Sequence, residues 1–158
     1  MPQLEAGLYQ VSSLFLAPAL ILILAAMAYA LFALGAFLME AGQRRRADWR
    51  SPLWRRWRAT DAASDDLELM ILKDLEGLRI VSRSAPMLGL VATMIPMGPA
   101  LLALGRGDAS GVGENMVVAF SGVTLALIAA SIAHYVLTVR RRWLLQDLRA
   151  IERAREAG

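Results

Sequence analysis

The chain has 158 residues, 57% of them apolar and only 7% aromatic, with no cysteine and a formal net charge of +3. Apolar residues in that excess, gathered into runs, lie outside the mix of soluble domains and point to membrane-spanning segments. Disulfide and thiol chemistry are excluded, and the basic balance comes from Arg clusters bordering apolar runs, where they meet lipid headgroups, so nucleic-acid binding is not expected.

From Leu8 to Met39 no residue carries a formal charge, and about 20 apolar residues suffice to cross a hydrocarbon core. A first span is therefore predicted over about 12–39, with Pro18 in its outer part. It is rich in Ala and Leu on every face, and a helix apolar all round has little with which to line a water path, so it is expected at the lipid-facing periphery. No basic region precedes it, and Glu5 does, which predicts a retained span in place of a cleaved signal peptide.

Residues 40–83 form a basic segment. Its first part, "QRRRADWRSPLWRRWR", sets Trp49, Trp54 and Trp57 among arginines and is broken at Pro52, the composition of an interfacial piece. Its second part, "TDAASDDLELMILKDLEGLRIVSR", spaces Leu67, Ile71, Leu75 and Leu78 by threes and fours, with acids first and Arg79 and Arg83 last. This is the pattern of an amphipathic helix whose charges suit its dipole, running almost into the next span.

A second uncharged run predicts a span over 84–105. The outer loop 106–114, "RGDASGVGE", is Gly-rich and short, so the second and third spans form an antiparallel hairpin. The third span covers 115–139 and holds His134 and Tyr135 as its only titratable groups. It is expected to continue as a helical tail over 140–158 through Leu144, Leu148 and Ile151, with Trp143 at the interface. Every Lys and Arg except Arg106 lies between the first two spans or after the third. The positive-inside rule then places the N-terminus outside and both 40–83 and the C-terminus in the cytoplasm. The fold class is an all-α membrane protein with three transmembrane helices and cytoplasmic helical extensions, multi-pass in the cytoplasmic (inner) membrane.

The second span carries two helix breakers beside one hydroxyl. Pro96 cannot donate to the carbonyl of Ala92, nor Pro99 to that of Ile95, and Thr93 stands beside both. Lipid offers such acceptors nothing, so this face is expected to look into protein or a hydrated path. Pro86, Gly89, Thr93, Pro96 and Ala100 share it, all small or compact, which permits close helix approach. In the third span Glu114, Ser121, Thr124, Ser131, Tyr135 and Thr138 recur at intervals of three, four or seven and form one stripe, with His134 beside its inner end. Val118, Leu125, Ala129, Ile132 and Val136 make the opposite, apolar face. A single membrane Ser or Thr commonly bonds back to its own helix, a proline alone is common, Glu114 can serve as a helix-start carboxylate and His134 as an interface residue. Two polar faces on one hairpin are harder to dismiss than any one member. No Asp, Glu, Lys or Arg lies inside the spans, so a proton carrier at membrane depth has to come from a partner.

"APMLGLVATM", Ala85 to Met94, resembles the second-helix motif of the MotA/TolQ/ExbB proton-channel family, A-P-x-x-G-L-x-x-T, through Ala85, Pro86, Gly89, Leu90 and Thr93. "ENMVVAFSGVTLALIAASIAHYV" is similar to that family's third transmembrane helix, and the likeness covers about residues 70–145. The resemblance implies a pentameric homo-oligomer around two single-span ExbD/TolR/MotB-like partner helices whose membrane Asp carries the ion, with Thr93 as the second-helix hydroxyl of the route. Ser121 and Thr124 straddle the place of the third-helix threonine, and Glu114 matches a family carboxylate or simply caps its helix. Pro96 stands where a small residue is usual, and the basic segment is compact. The expected function is a pore-forming ring subunit of an energy-transducing motor, its ion pathway lined by Thr93, Ser121, Thr124 and Ser131, its compact or kinked face formed by Pro86, Gly89, Pro96 and Pro99, with Glu114 as an outer acid and His134 as an inner relay. No cofactor or metal is expected, membrane lipids are partners, and protons and sodium both suit hydroxyls and carbonyls. The alternative is a non-conducting scaffold whose polar stripes serve helix packing. No nucleophile–base pair or metal-ligand cluster suggests an enzyme.

Overall fold

The computed structural model describes Gly7 and residues 10–45, 51–60 and 64–156. The expectations placed on Glu5, Arg46, Trp49, Arg50 and Asp61, and on the last two residues of the tail, lie outside that set. Among the described residues the helices run in order α1 (Leu16–Arg44), α2 (Pro52–Thr60), α3 (Ser64–Gly105) and α4 (Ala109–Glu156). Residues 10–14 are also helical and join α1 through a turn at Phe15. The helices that include α1, α3 and α4 are each long and apolar enough to cross a membrane, which fits a multi-pass membrane protein.

The amphipathic segment and the second uncharged run are one helix. α3 has 42 residues and α4 has 48, lengths of about 63 and 72 Å at 1.5 Å per residue, roughly twice a hydrocarbon core. α3 opens with Asp65 and Asp66 in its first turn, where carboxylates meet the positive end of the dipole. It runs through Pro86, Pro96 and Pro99 without interruption.

The hairpin turn is shorter than the composition of 106–114 suggests, covering only 106–108. Gly107 takes φ 73°, its N–H donates to the Leu104 carbonyl at 3.0 Å, and the Asp108 N–H reaches the Ala103 carbonyl at 3.0 Å. This paired closure satisfies the last carbonyls of α3 and uses glycine where a side chain would be strained. Asp108 then accepts the Gly111 N–H on its side chain at 3.0 Å, an N-cap that starts α4 at Ala109. Glu114 consequently sits beyond the first helical turn, exposed, and does not start the helix.

Two kinds of core lie along the bundle. At the basic end Leu67, Ile71, Leu75 and Leu78 of α3 pack with Leu144, Leu148 and Ile151 of α4, with Leu53 of α2 and with Phe37 of α1. Charged residues surround this end, so water is the competing medium and each buried Leu or Ile contributes about 1.5–3 kcal/mol. Along the uncharged runs the core is instead alanine. Ala26, Ala30, Ala85, Ala129 and Ala130 form one cluster, and Ile23, Ala92 and Ala126 another. Here the large apolar side chains, among them Leu24, Phe32, Met94, Leu101, Phe120 and Leu127, point outward and are exposed. A surface greasier than its interior suits lipid, where burying apolar area gains little and close packing of small residues holds helices together.

α1 uses one face of its uniformly apolar surface. Ala19, Ile23, Ala26, Ala30, Ala33 and Phe37 are buried at alternating spacings of four and three, a seam that the first span's even hydropathy does not reveal.

Candidate functional site

The faces of α3 and α4 that meet are those with the least side chain. A Cβ on Gly89 would lie 2.9 Å from the Ala126 Cβ and 3.5 Å from the Val123 Cα, and one on Gly122 would lie 3.1 Å from the Ala92 Cβ and 3.3 Å from Leu20 Cδ2 of α1. Gly89, Pro96 and Ala100 are buried in this seam, while Pro86, Thr93 and Pro99 are partly exposed at its edge.

The hydroxyls lie elsewhere. Thr93 donates from Oγ1 to the Leu90 carbonyl at 2.7 Å, Ser131 to the Leu127 carbonyl at 2.8 Å, and Thr138 to the His134 carbonyl at 2.8 Å. Each hydroxyl hydrogen is thus used by its own helix, leaving oxygen lone pairs facing outward. Ser121, Thr124, Ser131, Tyr135 and Thr138 are all exposed. With about 100° per residue, Thr124 and Ser131 lie roughly 160° and 140° around α4 from the buried Ala126. The structure therefore keeps Thr93 and the α4 hydroxyls apart, with the Ala/Gly seam between them. Tyr135 makes a T-shaped contact with Phe37 of α1, centroids 6.0 Å apart and planes at 83°.

The uncovered side of the hairpin has a regular layout. Thr93, Pro86 and Arg79 follow one another at seven-residue steps on α3, and Thr124, Ser131, Thr138 and Leu145 do so on α4. Seven residues are nearly two turns, so each set forms a line along its helix. Both lines end at a cleft of about 910 Å³ between α3 and α4, lined by Arg79, Arg83, Arg141, Arg142, Arg149 and His134, with Ser82, Thr138 and Gln146 as further polar groups and Leu137 and Leu145 as apolar ones. His134 joins this cleft; Glu114 is near the opposite end of α4.

The sequence reading gives Arg79 and Arg83 to the dipole of their helix and Arg141 and Arg142 to headgroups in general, and does not bring them to one cleft with Arg149. It also missed the clamp that ties α1 to α4. Arg44 reaches Asp147 at 2.7 Å, and Glu40 holds both Arg44 at 3.4 Å and Arg140 at 3.1 Å. Trp143, expected at an interface, stacks on Phe37 with centroids 5.2 Å apart and lies under the Arg44 guanidinium at 4.6 Å. The available signal was Glu40, the first charged residue after the apolar run, and Asp147, the first acid of the tail. Among the described residues no group of three His, Asp or Glu side chains is placed to hold a metal ion. No protein-family model, curated protein or solved structure matches this chain.

Proposed function

We propose that this chain is a pore-forming ring subunit of an inner-membrane motor driven by the proton-motive force, similar to the MotA/TolQ/ExbB family, with its N-terminus outside and its basic end in the cytoplasm. The observation that carries the reading is the placement of α1. It packs on the side of α4 marked by Gly122 and Ala129, and the line Thr124–Ser131–Thr138 lies on the side it leaves uncovered. In a ring, α1 is then peripheral, and the hydroxylated side of α3–α4 turns toward the axis and the neighbouring copies.

Five copies would surround a single-span partner whose membrane Asp supplies the acid that these spans lack. That carboxyl, neutral after taking a proton, passes Thr93 and the α4 line, whose outward lone pairs accept its hydrogen bond, and releases the proton at the basic end. Each unit charge crossing 100 mV yields about 2.3 kcal/mol.

A second reading, a non-conducting scaffold, is favoured by the self-satisfied hydroxyls of Thr93 and Ser131. One experiment separates the two. Reconstitute the chain with its co-purifying single-span partner in vesicles and follow internal pH under an imposed potential. The pore reading expects flux that Thr93→Val abolishes while the assembly stays intact. An intact wild-type complex that passes no protons supports the scaffold.

A further inference from the structure

We infer that the cleft between α3 and α4 is a binding site for the phosphate-bearing headgroup of an anionic phospholipid. Arg79 and Arg83 come from one helix and Arg141, Arg142 and Arg149 from the other, and no carboxylate lines the cleft. None of the five forms an ion pair with a described residue; Glu40 and Asp147 pair with Arg44 and Arg140, and Asp74 with Arg56. Five cations lining one cleft with no carboxylate among its lining residues repel one another, and an anion bound there relieves that repulsion. Guanidinium groups present paired N–H donors that match phosphate oxygens in a bidentate way.

Position selects a lipid over a free anion. Arg83 immediately precedes the uncharged run of α3, and the arginines of α4 begin where its own run ends at Val139. Basic pockets between transmembrane helices at that level are suited to headgroups. The apolar contribution of Leu137 and Leu145 to the cleft, and the exposed Leu90, Met94 and Leu127 farther along the hairpin, offer acyl chains a surface that a soluble phosphate would not use. The inference does not depend on whether the chain conducts ions.

The test uses the full chain in a mild detergent, with bound lipid read by native mass spectrometry. Phosphatidylglycerol, phosphatidylcholine and inorganic phosphate are the probes. Expected is retention of phosphatidylglycerol well above phosphatidylcholine, undiminished by excess inorganic phosphate. An Arg near an anionic surface contributes roughly fivefold in affinity, so Arg79→Gln with Arg142→Gln should weaken binding about 25-fold. Arg153→Gln with Arg155→Gln, the same charge change on the tail, should leave it unaltered. Equal retention of the two lipids by the wild-type chain overturns the proposal. So does displacement of phosphatidylglycerol by inorganic phosphate, which would make this a soluble-anion site. Equal losses from the two Arg pairs would reduce the effect to net charge and overturn it too.

Discussion

Gly89 sets how closely α3 and α4 approach. The Cβ of an alanine there would meet the Ala126 Cβ at 2.9 Å, and Ala126 cannot swing away because its Cβ is fixed to the helix backbone. Gly89→Ala gains about 1 kcal/mol of helix propensity but costs roughly 1–3 kcal/mol in overpacking, so a net loss is expected. Ala126→Gly in the same chain should restore much of it, and thermal unfolding of the four combinations in detergent reads the coupling. Additive effects would mean that the helices do not meet there. Gly107 is different, since nothing crowds it and its φ of 73° alone selects glycine. Gly107→Ala is expected to cost about 1–2 kcal/mol in the same assay. Gly89 was legible as a compact position because it shares a helical face with Pro86 and Pro96. Which helix it would meet was not, because periodicity identifies a face and says nothing of its neighbour.

α1 depends on its basic end for its position along α4. Its alanine seam supplies contact but little distinction between one register and the next, whereas Glu40, Arg44, Phe37 and Trp143 fix particular partners. The Glu40 and Arg44 side chains are 13% and 17% exposed, so a partner removed here leaves charge that water compensates only in part. Glu40→Gln takes from Arg140 its carboxylate at 3.1 Å, and a destabilisation of about 1–3 kcal/mol is expected. Hydrogen exchange should show where it falls. Faster exchange in the last turns of α1, with the α3–α4 seam unchanged, is the expected result; uniform acceleration would show that the clamp supports the whole bundle. The length of α4 was readable, since the apolar spacing of the third span continues through Leu144, Leu148 and Ile151, whereas α3 was expected as two pieces, its amphipathic part running almost into the span, with Pro86 just past the join. The turn was over-extended to 106–114 because three glycines suggest loop, while the capping carboxylate of Asp108 lets Gly111 and Gly113 enter a helix.

For the molecule as a whole, the arrangement inverts that of a soluble bundle, with alanine inside and leucine, methionine and phenylalanine outside along the apolar runs. Such a surface leaves lipid or further copies to cover it, and the hydroxyl lines distinguish one side from the rest. Five arginines at the end of those lines would oppose a departing cation. A headgroup phosphate held in the cleft would offset that barrier, so the proposed proton path and the proposed lipid site are compatible on one hairpin. Sequence periodicity gave the stripe on α4 but not the cleft, because Arg79 and Arg142 come to line one cleft only through the antiparallel pairing of two helices whose registers are set by glycine and alanine contacts. The absence of native cysteine lets the sides of the assembly be probed one thiol at a time. A thiol reacts through its thiolate, which forms readily in water and poorly in hydrocarbon. In the assembled complex, cysteines replacing Ser121, Thr124 or Ser131 should therefore react with a water-soluble maleimide, while cysteines replacing the outward-facing Leu24 or Phe32 of α1 should stay unmodified. Unreactive thiols along the whole α4 line would place it in lipid or a dry contact and remove the pore, whereas equal reaction at Leu24 and Phe32 would move α1 away from the periphery and leave the ring without its outer layer.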